Sequence, residues 1–127
     1  MYIDVDNQKT YIATGSKDHI QGNLGITFIH GTAMDHTVWT LASRHFARRG
    51  LNILAVDLPG HGRSEGDVIS SIEGMADWVV KALDASNQDK TIIVGHSMGS
   101  LVAFDVAARY PDRITALAMV GTSIPMP

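Results

Sequence analysis

The chain has 127 residues, with 10 Lys plus Arg against 13 Asp plus Glu and a formal charge of −3. That length suits one domain of about 100–200 residues, and the charge balance supplies neither a basic face for nucleic acid nor a polybasic membrane patch. There is no cysteine, so disulfides, thiolate nucleophiles and Cys-ligated zinc are excluded. Apolar residues make up 45% and charged residues 18%, a mixture that can build a core.

The N-terminus carries Asp4 and Asp6 where a signal peptide wants a basic start and an apolar run. Tyr2 to Val5 and Tyr11 to Ala13 read as a hairpin about a polar Asn7-Gln8 turn. Asp18 to Asn23 is a polar loop. Ile26 to Ile29, Leu51 to Val56, Thr91 to Val94 and Ala116 to Val120 are apolar runs of the kind found in strands covered on both faces. The uncharged stretch Ile114 to Pro127, 14 residues long, is too short for a bilayer, which needs about 20. It reads as a buried strand. A cytoplasmic protein is the default expectation.

Three helical patterns lie between the strands. Val38 to Arg49 spaces Trp39, Ala42 and Phe46 by three and four, with Gly50 as C-cap. Ser70 to Asp84 aligns Ile72, Met75, Ala76, Val79, Val80 and Leu83 on one stripe. Met98 to Tyr110 is closed by Pro111. This alternation predicts βαβ crossovers and a doubly wound, mostly parallel sheet.

The sharpest motif is Gly95-His96-Ser97-Met98-Gly99. It has the G-x-S-x-G form, a strand enters it and a helix leaves it. So tight a reversal strains the central serine by about 1–3 kcal/mol, and glycines on either side let backbone pack close. The Ser97 hydroxyl then stands above the carboxyl ends of the strands, at a helix N-terminus that favours negative charge. The bland alternative is an N-capping serine in a glycine turn.

Two further loops follow strands. His30-Gly31-Thr32 leaves the strand ending at Ile29. Asp57-Leu58-Pro59-Gly60-His61-Gly62-Arg63-Ser64 leaves the next one. The second lacks the G-x-G-x-x-G spacing and the Lys-Ser/Thr of nucleotide loops, so a structural loop held by Asp57 and Arg63 is expected, without a catalytic role for either. The six histidines are scattered; no metal site and no cofactor is expected.

In order and spacing, His30-Gly31, the D-x-x-G-x-G-x-S segment and the Gly95–Gly99 turn resemble the α/β-hydrolase fold family, esterase-like branch, over essentially the whole chain. The resemblance implies a three-layer α/β architecture, truncated after about the sixth strand. It implies a serine hydrolase of carboxylesterase, lactonase or C–C hydrolase type acting on a small ester or acyl compound, because relatives of dehalogenase and epoxide hydrolase type carry aspartate in place of Ser97. Ser97 is then the nucleophile. Thr32 and Met98 main-chain N–H groups form the oxyanion hole, and His30, Gly31, Gly95, His96 and Gly99 support the site.

The family order of nucleophile, acid and histidine is not met. After Ser97 come 30 residues with Asp105, Asp112 and no histidine. The expectation is therefore that residues 1–127 are the N-terminal part of one hydrolase domain, without cap, acid or base, and inactive or weakly active alone. The strand at Ala116 to Val120 is expected to leave an open edge. A non-catalytic half-domain that self-associates there, or binds a partner, is the competing reading.

Overall fold

The computed structural model describes residues 1–121. Its centre is one six-stranded sheet in the order β1-β2-β4-β3-β5-β6. The strands are β1 (Tyr2–Val5), β2 (Gln8–Ala13), β3 (Gly25–Ile29), β4 (Asn52–Val56), β5 (Thr91–His96) and β6 (Ile114–Val120). Pairs β3–β4, β3–β5 and β5–β6 are parallel, while β1–β2 and β2–β4 are antiparallel. The helices are α1 (Thr40–Ala47), α2 (Ile72–Ala85) and α3 (Met98–Arg109).

The sheet separates two cores, which makes three layers. On one face Ile29, Leu54, Val56 and Ile93 meet Val79 and Leu83 of α2 and Val102 and Val106 of α3. On the other, Ile26, Phe28, Ile53, Ala55 and Val94 meet Trp39 and Ala47. Every residue of β3 and β4 is buried, as strands covered on both faces require. The one hydroxyl pair in this centre, Thr27 on β3 and Thr91 on β5, is matched at 2.8 Å.

Three expectations shift. The hairpin turn is Asp6-Asn7, not Asn7-Gln8. Both residues have left-handed φ, 55° and 65°, and Val5 faces Gln8, a two-residue turn whose twist matches the strands. The helix expected from Val38 begins as a 3-10 turn over His36–Trp39, because Asp35 caps it by accepting from the Thr37 N–H at 2.8 Å. β6 is present but not buried: Thr115 to Val120 are all exposed. It pairs with β5 on one side only and forms the sheet edge, so the open edge expected at Ala116 to Val120 is present although the burial is not.

The two elbow glycines carry the junction of β5 and α3. A Cβ on Gly95 would overlap the Gly99 carbonyl, and a Cβ on Gly99 would overlap the carbonyls of Ile29 and His30. These obstacles are backbone and cannot rotate away. Gly99→Ala is expected to cost about 3 kcal/mol, read as a drop in the denaturant midpoint at unchanged m-value.

Candidate active site

Ser97 lies between the end of β5 and the first turn of α3, with φ 55° and ψ −121°. A non-glycine side chain there is strained. It makes no side-chain cap hydrogen bond to α3, which removes the N-capping reading. Main-chain bonds pin the residue instead. Its N–H donates to the Val120 carbonyl at 2.9 Å, and its carbonyl accepts from the Ser100 N–H at 2.9 Å and from the Ser100 hydroxyl. The side chain is half-buried.

The loop after β3 presses on this turn. A Cβ on Gly31 would stand 3.3 Å from Ser97 Cβ and 3.3 Å from the His96 carbonyl oxygen. Gly31 has no left-handed φ, so its contribution is the missing side chain, not an unusual turn. Thr32 follows it, exposed, in a turn closed by the Met34 N–H on the Gly31 carbonyl at 3.2 Å. Met98 opens α3.

His30 is fully buried. Its Nδ1 meets the Gly31 carbonyl at 2.8 Å and its Nε2 lies 3.1 Å from the Leu58 N–H. The carbonyl can only accept and the amide can only donate, so the ring is neutral, protonated on Nδ1. Burial, the largest effect, pushes its pKa below the ordinary 6.5. His30 thus ties the loop after β3 to the loop after β4.

Asp57 ties the same loops a second time. It is 0% exposed, accepts from the His36 N–H at 2.7 Å and the Arg63 N–H at 2.9 Å, and its carboxylate meets His36 Nδ1 at 3.0 Å. A Cβ on Gly62 would fall onto this carboxylate, which explains a glycine there. Asp57 therefore holds the loop as expected, whereas Arg63 does so through its main chain. The pairing with His36 was not legible, since nothing in local spacing joins residues 21 apart. Asp35, His36 and Asp57 bring one metal-ligand-type atom each within 4.8 Å of one another, but these atoms already serve Thr37, Arg63 and each other.

No histidine among the described residues hydrogen-bonds Ser97. His30 and His36 are engaged as above, and His61 Nδ1 lies 3.0 Å from the Pro59 carbonyl. His96 Nδ1 is buried without a partner, as is Trp39 Nε1; the two rings lie edge to face, 6.3 Å apart. Asp105 pairs with Arg109 on α3.

A family model described as alpha/beta hydrolase fold matches residues 26–127. The chain belongs to the α/β-hydrolase fold family. It is 37% identical over 103 residues to pimeloyl-(acyl-carrier protein) methyl ester esterase of Citrobacter koseri, a match covering 81% of this chain and 38% of the esterase. Among solved structures, Est816, described as an N-acyl homoserine lactone degrading enzyme, superposes with TM-score 0.82 at 26% identity over 96% of this chain and 45% of that one. A membrane phospholipase A superposes with TM-score 0.89 at 27% identity over all of this chain and 40% of that one. The chain spans less than half the length of each of these α/β-hydrolase relatives. Among the described residues no helix is long and apolar enough to cross a membrane.

The lowered pKa of His30 sets a pH dependence. The unfolded chain takes up this proton near pH 6.5 and the folded chain only below that. His30's contribution is complete above pH 6.5 and is lost as pH falls from there toward its folded pKa. The denaturant midpoint should decline over that window, and His30→Gln should flatten the decline.

Proposed function

We propose that this chain is the nucleophile-bearing part of a serine hydrolase acting on carboxylic esters or related acyl compounds. One observation carries the reading: the strained Ser97 backbone at φ 55°, ψ −121°, with a hydroxyl that caps nothing. Strain of this kind persists only where the surroundings over-determine it, and the packing against Gly95, Gly99 and Gly31 does so. The substrate class follows from the relatives, whose names specify a methyl ester, a lactone and a phospholipid.

In this mechanism Ser97 Oγ attacks the acyl carbon. The Thr32 and Met98 N–H groups take the resulting oxyanion; each such donor lowers the barrier by about 2.7–4 kcal/mol. The alcohol departs with the serine proton, and water then releases the acid from the acyl-enzyme. His30 and Asp57 position the Thr32 loop and take no part in proton transfer. Since none of the six histidines hydrogen-bonds Ser97, the base and its carboxylate partner come from residues outside these 127.

The test is a fluorophosphonate applied to the folded chain, with the adduct located by mass. One adduct on Ser97 is expected, absent in Ser97→Ala and accelerated by added imidazole acting as the missing base. Thr32→Ala should leave the rate nearly unchanged, because its N–H remains. Folded protein that stays unlabelled with imidazole present overturns the reading.

A second reading is favoured by the exposure of β6: the chain is non-catalytic and pairs with a second copy through this edge. Leu117 and Met119 present apolar side chains on a strand with one unpaired side, the arrangement that recruits another strand. Sedimentation should then show a dimer that Leu117→Lys converts to monomer; a monomer at all concentrations dismisses it.

A further inference from the structure

A cleft of about 370 Å³ lies between the loop after β2 and helix α1. It shares no lining residue with the elbow. Thr14 and Ser16 form one wall and Thr40, Ser43 and Arg44 the other, with His36 and Tyr11 also lining it. Gly15 brings the walls together: its φ is +67°, and a Cβ there would meet the Ser43 carbonyl oxygen at 2.7 Å.

Three observations give the cleft a chemistry. Ser43 is 3% exposed, and its Oγ is buried with no hydrogen-bond partner. Leaving such a group unmet costs about 1–3 kcal/mol, so it marks either a loss or a place for a ligand atom. The Arg44 guanidinium has no carboxylate partner among the described residues. Arg109 and Arg113 do have such partners, in Asp105 and Asp84. A second guanidinium, that of Arg63, lies over the Tyr11 ring at 4.9 Å. It has no carboxylate partner among the described residues either, and it adds to the burial that lowers the pKa of the Met1 ammonium. Against these positive groups, no Asp or Glu lines the cleft. The carboxylate behind His36, that of Asp57, is already spent on His36 and Arg63.

We propose that this cleft binds a compact oxyanion, a phosphate or carboxylate group, with Arg44 supplying the charge and the Ser43 and Thr40 hydroxyls the hydrogen bonds. The site is independent of Ser97. A guanidinium offers a planar fork of donors that matches either anion, and a wall of short hydroxyls leaves room for the group's full set of oxygens. His36 joins the cleft to the loop after β4, because its own N–H and ring hold Asp57.

The test is titration of the intact chain with inorganic phosphate, and separately with malonate, at ionic strength held constant with chloride so that screening does not vary. The readouts are calorimetry and the amide shifts of residues 40–44. Saturable binding is expected with at least one anion, and the tighter of the two names the source of the group. Arg44→Gln should weaken it about tenfold or more, the loss of one charge-assisted contact. Ser43→Ala should weaken it several-fold without lowering the unfolding midpoint, because it removes an unmet hydroxyl. Arg48→Gln, just past the end of the same helix and outside the cleft, should leave binding unchanged, and Ser97→Ala likewise. Shifts that never saturate, or equal losses from Arg48→Gln and Arg44→Gln, show only diffuse attraction and overturn the proposal.

Discussion

Backbone packed directly on backbone, with no side chain between, is the constraint on which the rest of this molecule depends. At the carboxyl end of the sheet, the Gly95 and Gly99 main chains sit against each other and against the carbonyls of Ile29 and His30. This contact draws β5, α3 and the loop after β3 to one point. It leaves Ser97 no room for an ordinary strand or helix conformation. The strain in its backbone is therefore an outcome of the fold, maintained by two buried cores and by the Val120 carbonyl that receives its N–H. A serine placed this way has its hydroxyl free of the helix it precedes, which is the requirement for an exposed nucleophile.

Around that point the structure uses buried polar groups as ties. His30 and Asp57 are the most deeply buried titratable side chains described, and neither faces substrate in the proposed mechanism. Each links the loop after β3 to the loop after β4 by accepting main-chain N–H donors. A neutral imidazole and a carboxylate do this differently. The imidazole avoids the desolvation of a charge, while the carboxylate accepts two amide donors and meets an adjacent ring. The consequence is the same: Thr32, exposed on its turn, is anchored from both sides.

The fold was readable from the chain wherever apolar runs and periodicity were strong. Each of the six strands and three helices overlaps a segment that the pattern marks, with the hairpin turn and the first helix start displaced, and the G-x-S-x-G turn sits between a strand and a helix. What the pattern missed was set by contacts distant in sequence or by single polar atoms. The 3-10 start of the first helical segment depends on the Asp35 side chain capping Thr37. The His36–Asp57 pair joins loops that share no local signal. The orphaned Ser43 hydroxyl sits within an ordinary amphipathic stripe. The exposure of β6 could not be read from its apolar composition, because composition records what a strand can bury and not what lies beside it. The family of the chain was legible because its marks are short loops with fixed spacing; the acid and base were not, because no such marks follow Ser97.

The parallel centre of the sheet also dictates an order of events during synthesis. β3 lies between β4 and β5, and its buried Thr27 hydroxyl finds its match only in Thr91, 64 residues later. Until that segment has left the ribosome, β3 has one flank unpaired and one polar group unmet. Such non-local pairing is slow, because chain closure must precede its reward. The nascent chain therefore spends the time needed to add those residues, several seconds at about 5–20 residues per second, with a strand that ends fully buried open to other partners, a natural point for chaperone capture.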